Sequence, residues 1–153
     1  MSVLAAVRPD EWNFPLLVHA FGAMVLVGGL LTGATALAYA RGDTRLLRLG
    51  YWSLLALCLP GWLVMRIGAQ WIYTKEGWDE LPEGTEPDWL GVGYVVADAG
   101  GLLLVIALIV GGIGVYGLRQ GKGSGLLRAT MILSIILLLA YLVAVWAMAG
   151  KPD

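Results

Sequence analysis

Long apolar stretches separated by three short polar connections organise this chain. Four of them, Phe14–Tyr39, Leu49–Tyr73, Trp89–Leu118 and Leu126–Ala149, each hold the roughly 20 predominantly apolar residues a helix needs to cross a hydrocarbon core of about 30 Å. None alternates apolar with polar residues, as a transmembrane strand would. Backbone groups in lipid have to be satisfied within the segment, which leaves helices. The pattern predicts an all-α fold: one antiparallel four-helix transmembrane bundle over residues 1–153, with an acidic connection at 74–88. Met1–Asn13 carries Arg8, Asp10 and Glu11 where the apolar core of a cleavable signal would fall, so the first span is expected to stay in the protein.

Composition narrows the class. The chain has 153 residues, 59% hydrophobic and 14% charged, and cannot hide that apolar surplus in one small soluble core. Disorder would require low hydrophobicity and high net charge. A net charge of −1 provides no basic field for nucleic acid. Cys58 has no second cysteine to pair with, and a single histidine cannot build a multi-histidine metal cage within one chain.

The connection after the first span holds Arg41, Arg45 and Arg48, and that after the third holds Arg119, Lys122 and Arg128. Across the bundle stand only Arg8, Lys75 and Lys151, besides Arg66 within a span. Cytoplasmic loops carry the excess of Lys and Arg, so both termini are expected outside, in a bacterial cytoplasmic (inner) membrane. Trp12, Trp71, Tyr73, Trp78, Trp89 and Trp146 gather near the outer boundary as an aromatic belt would. The acidic 74–88 connection reads as a solvated, turn-rich link.

Small residues suggest how the spans meet. Gly29 and Gly33 form G-x-x-x-G in the first span, and Gly93, Ala97 and Gly101 recur at intervals of four in the third. Such faces let backbones approach in lipid, so the first and third spans are expected to cross closely. Pro60-Gly61 is expected to kink the second span. The fourth, with few small residues, is expected to be the most lipid-exposed, and Cys58 to be a small apolar filler.

Ionisable groups inside spans mark function by default. At about 1.5 Å per residue, His19 lies roughly 8 Å, Arg66 roughly 11 Å, Asp98 roughly 14 Å and Tyr141 roughly 12 Å below the outer boundary. Each comes from a different span. Trp62, Arg66, Gln70 and Tyr73 share one side of the second span, and Tyr94 and Asp98 one side of the third. The expected site is therefore a polar layer of His19, Arg66, Gln70, Tyr94, Asp98 and Tyr141. Within it Arg66 pairs with Asp98 inside the bundle, and His19 and Tyr141 satisfy the remaining groups. The layer reads as an interhelical clamp, a ligand pocket open to the outer face, or a redox site. Haem would draw on His19 with Met65, and copper on His19, Met24 and Met65; with one imidazole per chain, no cofactor is predicted.

The segment HAFGAMVLVGGLLTG, with its histidine near the outer end and Gly-Gly about ten residues later, resembles the opening helix of two small four-span bacterial families. One is a family of uncharacterised integral membrane proteins, to which the Pro60-Gly61 span and the Trp89-initiated third span are also similar. The other is the copper-resistance-D-like membrane domain, whose resemblance would carry over His19 alone. The resemblance implies the four-span architecture. No nucleophile–base pair or phosphate loop appears, so no catalytic residue is assigned. The expected function is a non-enzymatic accessory or assembly subunit, or a small-ligand binder. A redox or quinone-interacting subunit is the alternative. Expected partners are the lipid bilayer and either further copies of the chain or a larger membrane complex.

Overall fold

The computed structural model describes residues 13–80, 82 and 87–150. Arg8, Asp10, Glu11, Trp12 and Lys151, named above, and positions 81 and 83–86 of the acidic connection lie outside the described residues. Four long helices make up the fold: α1 (Asn13–Tyr39), α2 (Thr44–Lys75), α3 (Asp88–Leu118) and α4 (Ser124–Gly150). Each is long and apolar enough to cross a membrane, and no strand occurs among the described residues. Large apolar side chains cover the outside, Leu31, Leu102, Ile109 and Leu139 among them. Contiguous apolar surface on this scale belongs against lipid rather than water.

The helices begin and end where local chemistry dictates. Gly42 takes φ of 93° in the tight turn after α1, a left-handed conformation that costs glycine little. Asp43 then caps α2 by accepting a hydrogen bond from the Arg45 backbone N–H at 2.8 Å. Helical structure thus reaches back to Thr44, ahead of the apolar run itself. Within α2, Leu54–Cys58 forms a π-turn, in which the Leu59 N–H bonds the Leu54 carbonyl five residues back. The irregularity expected at Pro60-Gly61 lies in the turn ahead of it. Pro60 has no N–H and its ring crowds the carbonyl four residues earlier, and the wider turn accommodates both.

Around the bundle the order is α2, α1, α4, α3: α1 lies along both α2 and α4, and α3 along α4. The expected close crossing of the first and third spans is not formed. Gly29 and Gly33 instead face Cys58, Leu57 and Leu54 of α2. A side chain at Gly22 would run into the Met65 backbone, and one at Gly68 into the backbone of His19. The small residues in the first half of α3 receive side chains rather than a backbone: Gly93 faces Met148, Gly100 faces Tyr141, and Gly101 faces the Trp62 indole. The fourth span shares the greatest exposure with the first instead of exceeding every other. In its most apolar stretch 28% of residues are buried, the same as in α1 and close to the 33% of α2 and α3, because α4 lies against two neighbours. Leu26, Leu30, Leu54, Leu104, Leu127 and Leu137 form the fully buried centre. Cys58 is fully buried among them, its Sγ 3.7 Å from the Leu26 carbonyl.

Candidate functional site

Toward the end of the bundle that carries residues 74–88, α2 and α3 are joined by side chains rather than by packed backbone. The Trp62 indole N–H donates to the Ala97 carbonyl at 2.8 Å. One turn further on, Arg66 Nε meets Asp98 Oδ1 at 2.9 Å. The Arg66 guanidinium also lies over the Tyr94 ring, 4.9 Å from its centroid, in cation–π geometry. Its Nη1 stands 3.5 Å from Gln70 Oε1, a weak contact. Tyr73 and Tyr94 finish the seam edge to face, with centroids 5.4 Å apart.

Behind this seam lies a crevice to which all four helices contribute. Its inner chamber, of about 60 Å³, is lined by His19, Met65, Arg66, Tyr94, Tyr141 and Met148 together with small and aliphatic residues. A wider outer compartment of about 190 Å³ shares His19, Tyr94 and Met148 and is rimmed by Glu76, Trp78 and Trp89. Trp78 and Trp89 meet edge to face with centroids 6.4 Å apart, and the Trp78 indole donates to Glu76 Oε2 at 2.6 Å. The connection after α2 thereby folds its aromatic end over the mouth.

The polar groups divide differently from the sequence expectation. Arg66 and Asp98 do pair, but on the outward face of the seam: 26% of the Arg66 side chain and 59% of that of Asp98 are exposed. The pair is not enclosed, because α2 and α3 stand too far apart here to cover it. His19 and Tyr141 do not serve it. The backbone carbonyl of Met65 can only accept, so His19 Nδ1, 3.0 Å away, is the donor. In the neutral ring Nε2 then keeps its lone pair. Tyr141 is 4% exposed, and its hydroxyl is the one buried side-chain polar atom among the described residues without a hydrogen-bond partner. Gln70 sits outside the crevice, in a separate surface recess with Tyr73, Gly91 and Tyr94.

His19 and Met65 share the chamber wall, so the pair considered for haem, and two of the three residues considered for copper, do face one space. Among the described residues no three His, Cys, Asp or Glu side chains converge. The two compartments together fall below the roughly 300–1,000 Å³ of drug-sized sites. A single ring or a short amphiphile fits them; a tetrapyrrole requires the helices to move apart.

Trp62, which shares the Arg66 side of its helix, and Met148 join the seam and the crevice although neither belongs to the expected polar layer. The signal for Trp62 was its place one turn before Arg66 on the same side of the helix; that it meets Ala97 and Gly101 shows only in the structure. Met148 carried none. No protein-family model, curated protein or solved structure matches the chain.

Proposed function

We propose that the protein is a four-span protein of the bacterial cytoplasmic membrane, antiparallel, with both termini outside, that binds a small amphipathic molecule without transforming it, as a ligand-binding or accessory subunit. Six Lys and Arg in and beside the two short connections support the orientation. The antiparallel reading is supported by the descending order in which Gly22, Gly29 and Gly33 of α1 meet Met65, Cys58 and Leu54 of α2. The crevice carries the functional reading: it is mostly apolar, opens beside an aromatic rim, and offers a few fixed polar groups, the usual make-up of a small-molecule site. The resemblance of the first span to small four-span bacterial proteins agrees with this reading.

Reporter fusions at Asp43, Glu83 and Gln120 test the topology, with periplasmic activity expected at Glu83 alone. Purification in mild detergent, followed by mass spectrometry of the released small molecules, tests binding. A molecule retained by the native protein and lost on Tyr94→Ala is expected; identical extracts from both would refute the site.

A second reading, a quinone-interacting redox subunit, is favoured by the unpartnered Tyr141 hydroxyl and the available His19 Nε2 near one chamber. A hydroxyl donor and an imidazole acceptor suit a ring bearing oxygens. An absorption spectrum and a quinone assay of the extract separate it from the first, since only this reading expects a redox-active ring.

A further inference from the structure

The outward face of the α2–α3 seam presents charge where the rest of the bundle presents hydrocarbon. Asp98 is 59% exposed in the middle of a helix apolar enough to cross a membrane, and exposed Ile67 and Val95 stand beside the pair. Ionisable groups at such depth characteristically face a protein interior or a cavity rather than lipid. In this chain the Asp98 carboxylate faces neither. Above the pair lies a recess of about 250 Å³ lined by Gln70, Tyr73, Gly91 and Tyr94. A side chain at Gly91 would meet nothing of its own chain, so the glycine leaves room that this protomer does not use.

We propose that a second copy of the chain docks on this face, forming a twofold dimer across the α2–α3 seam. The charge pattern selects that occupant. In a twofold contact the same surface meets itself, so every group must find its complement within one patch. A patch carrying one cation and one anion side by side satisfies that condition. Turned about a twofold axis, the Arg66 of each protomer approaches the Asp98 of the other, and four charges close into a neutral ring shielded from lipid. A partner with only an apolar span would leave Asp98 against hydrocarbon. The recess beside Gly91 receives an aliphatic knob from the opposite copy, as small-residue faces do in membrane helix pairs. The inference rests on the reading that the chain crosses a bilayer, which the fusion reporters test separately.

Single cysteines placed in a Cys58→Ser background at Val95, beside the pair, and at Val143, an exposed position on α4, are oxidised in native membranes. The dimer predicts a disulfide-linked species of twice the chain mass from Val95→Cys and none from Val143→Cys. Gly91→Leu, whose Cβ meets nothing of its own chain and whose remaining carbons enter the open recess, is expected to abolish the Val95→Cys cross-link while leaving the detergent melt of the protein unchanged. Equal cross-linking at both positions, none at either, a cross-link only to a protein of different mass, or full cross-linking in Gly91→Leu would each overturn the proposal.

Discussion

Arg66 is held by three kinds of contact at once: a hydrogen-bonded carboxylate on α3, an aromatic face on the same helix, and an amide one turn along its own. Removing either charge leaves the other alone at a depth where an isolated ion costs about 2.5–3.5 kcal/mol on insertion scales. Arg66→Leu and Asp98→Leu are each expected to lower detergent stability by about 2 kcal/mol, softened by water reaching the exposed pair. The double variant is expected to lose less than the sum, with coupling near the upper end of the roughly 0.6–1.7 kcal/mol found for interhelical polar pairs in membranes. Additive losses would mean that the two groups act independently. Tyr141 presents the opposite case. Its hydroxyl has no partner to lose, so Tyr141→Phe should leave the melt of the empty protein within about 0.5 kcal/mol of the parent, whereas truncating a bonded hydroxyl typically costs about 1 kcal/mol. The same variant should retain less of any oxygen-bearing ring in the chamber, read by mass spectrometry of the extract. A clear loss of stability in the empty protein would show that the hydroxyl is already satisfied.

Between helices, glycines do two separate jobs, and spacing alone does not tell them apart. Gly22, Gly61 and Gly68 let the backbones of α1 and α2 touch, and a methyl group at Gly22 would overlap the Met65 backbone, which cannot move aside without displacing the helix. Gly22→Ala is therefore expected to cost about 1–3 kcal/mol. Gly28, one residue before the G-x-x-x-G motif, has open space where its Cβ would be, and Gly28→Ala should be neutral or stabilising by up to about 1 kcal/mol. Side-by-side thermal melts check both, and equal effects would refute the assignment of the α1–α2 contact. That contact also marks where sequence reading stops. Apolar length and loop composition made four long helices legible, because each depends only on neighbouring residues. The partner of each small face was not legible: Gly29-x-x-x-Gly33 is as compatible with one neighbour as with another until shapes are matched. The Arg66–Asp98 pairing was readable from depth and face. The escape of His19 to the Met65 carbonyl was not, because backbone acceptors leave no mark in the sequence.

At the scale of the whole molecule, three helix contacts are formed by packed backbones or interleaved side chains, and the fourth, between α2 and α3 toward the 74–88 connection, is bridged by Trp62, Arg66 and Tyr73. The crevice exists because of that looser side, and so does the exposure of Asp98. Which way Arg66 points is in turn set by α2, and the π-turn at Leu54–Cys58 gives α2 a tolerance for altered length that the other helices lack. A π-turn is one residue wider than an α-turn, so a chain shortened by one residue there can relax to ordinary α spacing without turning the segments on either side. Deletion of Ala56 should therefore preserve the Arg66–Asp98 coupling, at the modest cost of Pro60 meeting a tighter turn. Deletion of Val64, in regular helix, rotates everything upstream by about 100° relative to everything downstream. It should turn Gly50 and Gly61 out of line with Gly68 and Arg66, so that α2 can no longer meet α1 along its length, and unfold the bundle in detergent melts. If both deletions prove equally damaging, the π-turn is not a reserve of length. If only the second is, homologous chains one residue shorter in this helix should be able to build the same site.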